Sequence, residues 1–269
     1  MCLAAFALNA HPRFPLVIAA NRDEFYDRAA APMAWWDERP ELLAGRDLEA
    51  GGTWFGLTRA GRVALLTNVR EPGRKQASAR SRGGLVLDWL VGREALPGGP
   101  HAQAYNGFNL VTGDLSGGTW GTWHWASNRA GTPVTAVALG PGFHAVSNAL
   151  LDTRWPKTVG LKADLADALR RATHAEPLAE QLLHALADTR RAPDTELPDT
   201  GVGLERERLL SPRLVRIPQP GDPASALYGT RCSTVLVREA GGRTLVIERT
   251  LTAAGGWLAP VVHTLASWP

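Results

Sequence analysis

Short apolar runs, each closed by turn residues, set the pattern of this chain. Residues 3–8 (LAAFAL) and 16–20 (LVIAA) are brief, apolar and flanked by NAHPRFP, so they predict two buried strands joined by a hairpin loop. TWFGLT (53–58) and RVALLTN (62–68) flank Arg59-Ala60-Gly61 and predict a second hairpin. GFNLVTG, GTWHWAS, VTAVALG and FHAVSN follow between residues 107 and 148, separated by glycine-rich breaks. STVLVRE (233–239) and RTLVIER (243–249) flank Ala240-Gly241-Gly242 and predict a final hairpin. Hairpins in series make antiparallel sheets.

Between these runs the apolar period lengthens to that of a helix. SRGGLVLDWLVG starts with Ser81 as a candidate N-cap and carries Leu85, Leu87, Trp89 and Leu90. Residues 152–172 put Leu161, Leu165 and Leu169 on one face, and EPLAEQLLHALAD places Pro177 in a first turn before Leu178, Leu182, Leu183 and Leu186. Each amphipathic helix must cover a sheet face, so the expected class is α+β, with two antiparallel sheets sandwiched between helices in a four-layer αββα order. Residues 191–230, rich in Pro, Gly and charge, read as a long surface excursion or lid within a single domain spanning 1–269.

Composition narrows the function classes. The 269 residues carry 45% hydrophobic and 20% charged residues, the balance of a soluble globular protein. Net charge is +3 with the arginines scattered, which argues against nucleic-acid binding. No apolar run approaches ~18 residues, so no membrane span is expected. The start lacks a basic leader region, so a cytoplasmic location is the default. Cys2 and Cys232 form no disulfide framework, and no metal-ligand spacing is present. Ten tryptophans include Trp35-Trp36, Trp54, and Trp120, Trp123 and Trp125, which can fill a core or wall a ligand pocket.

Candidate chemistry begins at the first hairpin. With its turn near residue 12 or 13, antiparallel pairing sets Cys2 beside residues 22–24, within Asn21-Arg22-Asp23-Glu24. A guanidinium there is expected to lower the thiol pKa. Removal of Met1 would leave Cys2 with a free α-amine, a general base titrating near ~7.7–8.0, on the nucleophile's own residue. That is the logic of N-terminal nucleophile hydrolases. The alternative is a small buried apolar residue at a strand start. Asn68, Asn109 and Asn148 stand in or at the ends of strands, where an amide can stabilise an oxyanion or simply make a turn. Gly51-Gly52 beside Trp54 allows close backbone approach of a ligand. Arg231 can clamp a carboxylate or phosphate, or be solvated. His124, between Trp123 and Trp125, is an axial haem ligand or a hydrogen-bonded strand histidine.

Taken in order, MCL, ANRDE (20–24), GGTWFG (51–56), TNVR (67–70), FNLV (108–111), SNALLD (147–152) and YGTRCSTVL (228–236) resemble the NRDE family, also called the transport and Golgi organisation protein 2 family. The resemblance runs along nearly the whole chain. It implies an N-terminal-nucleophile-hydrolase-like αββα sandwich with Cys2 as first residue. It also implies links to haem mobilisation and to lipid or acyl-coenzyme A metabolism. In the more distant cysteine amidases, such as bile salt and penicillin V hydrolases, Arg and Asp are separated, whereas Arg22 and Asp23 are adjacent and face opposite ways on a strand.

The first expectation is therefore an amide (C–N) hydrolase acting on a small apolar-tailed substrate without a cofactor. Cys2 is the nucleophile, Arg22 poises it, Asp23 orients amine or substrate, and Asn68 and Asn148 serve the oxyanion. Asn21, Glu24, Trp54, Asn109 and Arg231 are candidate ligand contacts. The alternative is a carrier that holds haem or an acyl-coenzyme A as cargo and breaks no bond.

Overall fold

The structure is a computed structural model that describes residues 2–93, 99–118, 121–131 and 134–269. Met1 and Trp120 lie outside the described residues. In chain order the strands are β1 (Cys2–Leu8), β2 (Leu16–Phe25), β3 (Ala30–Trp36), β4 (Arg39–Asp47), β5 (Phe55–Thr58), β6 (Arg62–Asn68), β7 (Phe108–Asp114), β8 (Thr122–Ser127), β9 (Val137–Ala138), β10 (Gly142–Val146), β11 (Arg216–Gln219), β12 (Asp222–Arg238), β13 (Thr244–Thr250) and β14 (Val261–Leu265). The helices are α1 (Gly83–Leu90), α2 (Pro156–Arg171), α3 (Ala175–Leu186) and α4 (Leu204–Leu210). Two antiparallel sheets and four helices make the chain α+β, as its hydrophobic pattern predicts. No helix among the described residues is long and apolar enough to cross a membrane.

The chain divides into two compact units. The first comprises Met1–Asp27, Pro141–Ser147 and Asp152–Ser267. Its sheet runs β10-β1-β2-β12-β13-β14, with β11 paired to β12. Strand alternation sends Leu3, Ala5, Val17, Ala19, Val235 and Val237 to one face, where they pack on Leu161, Leu165 and Leu169 of α2 and Leu178, Leu182 and Leu186 of α3. The i, i+4 leucines read from the sequence are this core. Pro156, in the first turn of α2, sets the helix start, so the helix begins later than residue 152.

The second unit comprises Arg28–Gly140, Asn148–Leu151 and Trp268–Pro269. Its sheet runs β3-β4-β5-β6-β7-β8-β9 in sequence order, with α1 over β5, β6 and β7. Gly83 opens α1 with Arg82 as N-cap, and Ser81 makes no side-chain cap. Leu85, Val86 and Leu90 are the buried positions of α1, with Leu87 and Trp89 half-buried. Trp36, Trp123 and Trp125 are buried in this unit, and the Trp123 ring occupies the space a Cβ on Gly113 would take.

Four strands escape the hydrophobic pattern, β3, β4, β11 and β14. β3 and β4 carry Pro32 and Pro40 and little β-branched character, and β14 carries exposed Val262. VTAVALG yields only the two-residue β9. β2, by contrast, runs five residues past the apolar segment, through the whole polar quartet. β1 pairs Asn21 and Arg22 on one side, and β12 pairs Asn21 through Phe25 on the other. Within 191–230 the chain forms α4, β11 and the start of β12.

Candidate functional site

The first hairpin brings the thiol to the polar quartet as its turn length requires. Asn9, in the left-handed region at φ 49°, donates its amide to Pro15 O at 2.7 Å and closes the loop. The register that follows sets Cys2 opposite Arg22 and Leu3 opposite Asn21. On the other side of β2, Cys232 also faces Arg22, so Cys2, Arg22 and Cys232 form one cross-strand row on a single sheet face. Arg22 is 5% exposed and Asp23 1%.

A bulge on β12 lets that strand meet both Arg22 and Asp23. On β12, Thr230 faces Asp23 and Cys232 faces Arg22, which leaves Arg231 as the extra residue. Thr230 Oγ1 donates to Asp23 Oδ1 at 2.7 Å and accepts from the Val215 amide at 3.0 Å. Asp23 is thus held from the β12 side while Arg22 shares the thiol's row. The Asp23 backbone N–H nevertheless hydrogen bonds the Cys2 sulfur. Gly229 makes this packing possible, because a Cβ there would stand 2.3 Å from Val215 O.

The electrostatics differ from the sequence expectation. Burial pushes the Cys2 thiol above its ordinary value, and the nearby Asp23 carboxylate pushes the same way. The Asp23 amide and the Arg22 guanidinium pull downward, the guanidinium less than the carboxylate pushes. The guanidinium beside the thiol does pull its pKa down, but desolvation of the thiol outweighs that pull. Cys232 is raised well above a free thiol, first by burial and then by Glu248, whose carboxylate accepts its S–H. Glu248, 1% exposed, also accepts from Thr234 Oγ1 at 3.0 Å.

The other quartet members do different work. Asn21 points to the helix side, where Nδ2 donates to Leu186 O at 3.0 Å and Arg213 O at 2.9 Å while Oδ1 accepts from Ser233 Oγ at 2.6 Å. It ties β2 to the end of α3 and to the segment after α4. Glu24 is half-buried opposite Gly229, and its carboxylate accepts the Phe25 amide. Arg231 donates to Phe25 O at 2.7 Å and stacks over Tyr26 at 5.1 Å. Tyr26 OH donates to Thr230 O at 2.7 Å, and burial pushes its pKa up to about 12 against the pull of Arg231 and Arg216. Ser147 Oγ donates to Cys2 O at 2.9 Å and fixes the start of β1.

Trp54, Asn68, Asn109 and Asn148 belong to the second unit. Asn148 Nδ2 donates to Asn68 O at 2.9 Å, and Asn148 O accepts from the Arg70 amide at 2.8 Å. Asn109, fully buried, donates to Thr67 Oγ1 and Ala149 O and accepts from Trp125 Nε1. These asparagines hold residues 148–151 on β6 and β7. Gly52 is bare because the Gly83 backbone occupies the space a Cβ would take, at 2.5 Å, and the Trp54 ring covers Gly45. His124, half-buried on β8, pairs with Thr112 and Ala138.

Sequence reasoning passed over Thr230, Tyr26 and Glu248. Thr230 stood in the quoted YGTRCSTVL beside the bulged Arg231, and Tyr26 directly follows the quartet and Phe25. Neither pattern announces a bulge. Nothing in RTLVIER marks Glu248, which the register of β12 with β13 sets opposite Thr234 and which is 1% exposed.

A Transport and Golgi organisation 2 family match covers residues 1–253. The chain is 34% identical over 272 residues to the Transport and Golgi organization protein 2 homolog of Bos taurus, and 32% identical over 272 residues to that of Homo sapiens, each alignment covering 93% of both chains. Among solved structures, the C2A mutant of conjugated bile acid hydrolase from Clostridium perfringens aligns over 99% of this chain and 92% of its own. Its TM-score is 0.49 at 8% identity. The family match and the full-length relatives agree, and the chain belongs to the Transport and Golgi organisation 2 family.

Proposed function

We propose that the chain is a C–N hydrolase whose nucleophile is Cys2, made the first residue by removal of Met1. The observation that carries the reading is the strand register: Cys2 faces Arg22 with the Asp23 amide at its sulfur. In the reaction the α-amine of Cys2 takes the thiol proton and the sulfur attacks the amide carbonyl carbon. The tetrahedral intermediate collapses with cleavage of the C–N bond, and the leaving amine takes the proton back from the α-ammonium. Water, deprotonated by the same α-amine, then hydrolyses the thioester, releasing the acid and restoring the thiol. Arg22 stabilises the thiolate, and Asp23 orients the amine or the substrate. The substrate class is a small amide with an apolar tail, and no cofactor takes part. The test is turnover of a panel of acyl amides by processed protein, by Cys2→Ala and by protein carrying an N-terminal extension. Turnover confined to the processed wild type is expected. Equal turnover in the extended protein would overturn the mechanism.

The raised thiol favours a second reading, because a protonated sulfur is a poor nucleophile. In it the chain carries haem or an acyl-coenzyme A and cleaves nothing. A saturable Soret shift on haem titration, lost in Cys2→Ala or His124→Ala, would support carriage of haem. The absence of any shift at micromolar haem would count against it.

A further inference from the structure

A second place in the first unit has the makings of a site. A cavity of about 300 Å³ opens where the first turn of α2, the segment after α3 and the segment after α4 meet. Its wall carries four cations, Lys157, Arg190, Arg191 and Arg213, and one carboxylate, Asp188. Two of the cations are built into the fold: Lys157 is 5% exposed and Arg213 8%. Lys157 Nζ donates to Leu210 O at 3.1 Å, and Arg213 Nη1 donates to Asp164 Oδ2 at 2.5 Å and to Ala185 O at 3.0 Å. Asp188 holds Arg190 at the rim through a two-pronged pair, Nε to Oδ1 at 2.9 Å and Nη2 to Oδ2 at 2.7 Å. The rim is pinned in turn, since Ala192 N donates to Ser211 Oγ at 3.1 Å and Leu214 N to Asp188 O at 2.9 Å.

Cations brought together repel one another, and burying them raises the cost. Two carboxylates already engage this wall, Asp188 on Arg190 and Asp164 on Arg213, and four cations drawn from three segments still suit an anion of more than one charge. Guanidinium forks from separate segments match the tetrahedral oxygens of a phosphate, whereas one fork suffices for a planar carboxylate. We infer that this cavity binds a compact phosphate dianion, free or as a phosphomonoester, with Lys157 and Arg213 at its floor and Arg190 and Arg191 at its rim. The site is separate from the Cys2 row and does not depend on any activity there.

The experiment is calorimetric titration of the full chain with sodium phosphate at fixed ionic strength, with chloride and acetate as controls. Saturable binding of phosphate alone is expected. Arg191→Glu, an exposed position, should weaken it roughly tenfold or more, the order of one lost charge-assisted contact. Arg74→Glu, an exposed cation outside this cavity, should leave it unchanged. Phosphate should also slow tryptic cleavage after Arg190 and Arg191 in wild type. Tighter binding of glycerol 3-phosphate than of inorganic phosphate would mark an ester as the ligand; the reverse order would mark the free ion. No saturable heat with either phosphate, or equal affinity in Arg191→Glu and wild type, would overturn the inference.

Discussion

Asn21→Ala should destabilise the first unit by roughly 3 kcal/mol and leave the chemistry of Cys2 untouched. The side chain is 1% exposed and makes three hydrogen bonds, to Leu186 O, to Arg213 O and from Ser233 Oγ. Truncation leaves two carbonyls and a hydroxyl in the interior without their partner. Each such group costs about 1–3 kcal/mol, and partial relaxation holds the sum near the lower end. Asn21→Asp should cost more, because a carboxylate would then face two carbonyl oxygens. The assay is urea unfolding followed by far-UV circular dichroism, which reports this unit because it holds α2, α3 and α4. With m of about 2–3 kcal/mol/M for a chain this size, the midpoint should fall by about 1 M at unchanged slope. Alkylation of Cys2 in folded protein should keep its wild-type rate. A loss below about 1 kcal/mol, or a changed alkylation rate with normal stability, would refute the assignment of Asn21 to the helix side.

Three further outcomes follow from named contacts. Burial raises Asp152, but hydrogen bonds from His144, Lys162 and the Ala145 amide outweigh it and hold the carboxyl at about 2. A depressed carboxyl stabilises the fold above its unfolded value near ~3.9, and that contribution is lost as pH falls toward 2. Asp152→Asn, which still tolerates the φ of 56° there, should cost about 1 kcal/mol at pH 7 after screening is allowed for, and nothing near pH 2, as read by urea midpoints across pH. In a Cys232→Ser background, Asp23→Asn should move the pH profile of Cys2 alkylation downward and Arg22→Gln upward, because carboxylate and guanidinium act on the thiol in opposite directions. Gly52→Ala should cost roughly 2–3 kcal/mol, since its Cβ would meet the Gly83 backbone at 2.5 Å, whereas Gly51→Ala should cost only the roughly 1 kcal/mol of a positive φ; thermal unfolding of the two variants separates them.

The apolar runs that alternate or repeat every four residues were legible. β1, β5, β6, β7 and β13, with the leucine faces of α2 and α3, follow directly from where hydrophobic side chains must go. The thiol's partner was legible too, because a seven-residue connector between short strands leaves little choice of register. Other features needed the partner strand. β2 continues past Arg22 to Phe25 only where β12 pairs with it, and the bulge at Arg231 sets Cys232 rather than Arg231 opposite Arg22. Charge type misled in one place. A nearby arginine suggests a lowered thiol pKa, but desolvation outweighs it, and how deeply a sulfur is buried cannot be read from its neighbours in sequence. Gly52 was read as room for a ligand, yet that room belongs to Gly83, which lies in a different element.

The central claim concerns the sulfur of Cys2, and peptide mass mapping tests it most directly. Protein purified without a tag is incubated with an activated acyl ester, and its N-terminal peptide is weighed. The account predicts a peptide that begins at Cys2 and carries one acyl group, with no adduct in Cys2→Ala. A peptide that retains Met1 and stays unmodified, while the ester is consumed elsewhere or not at all, would contradict it.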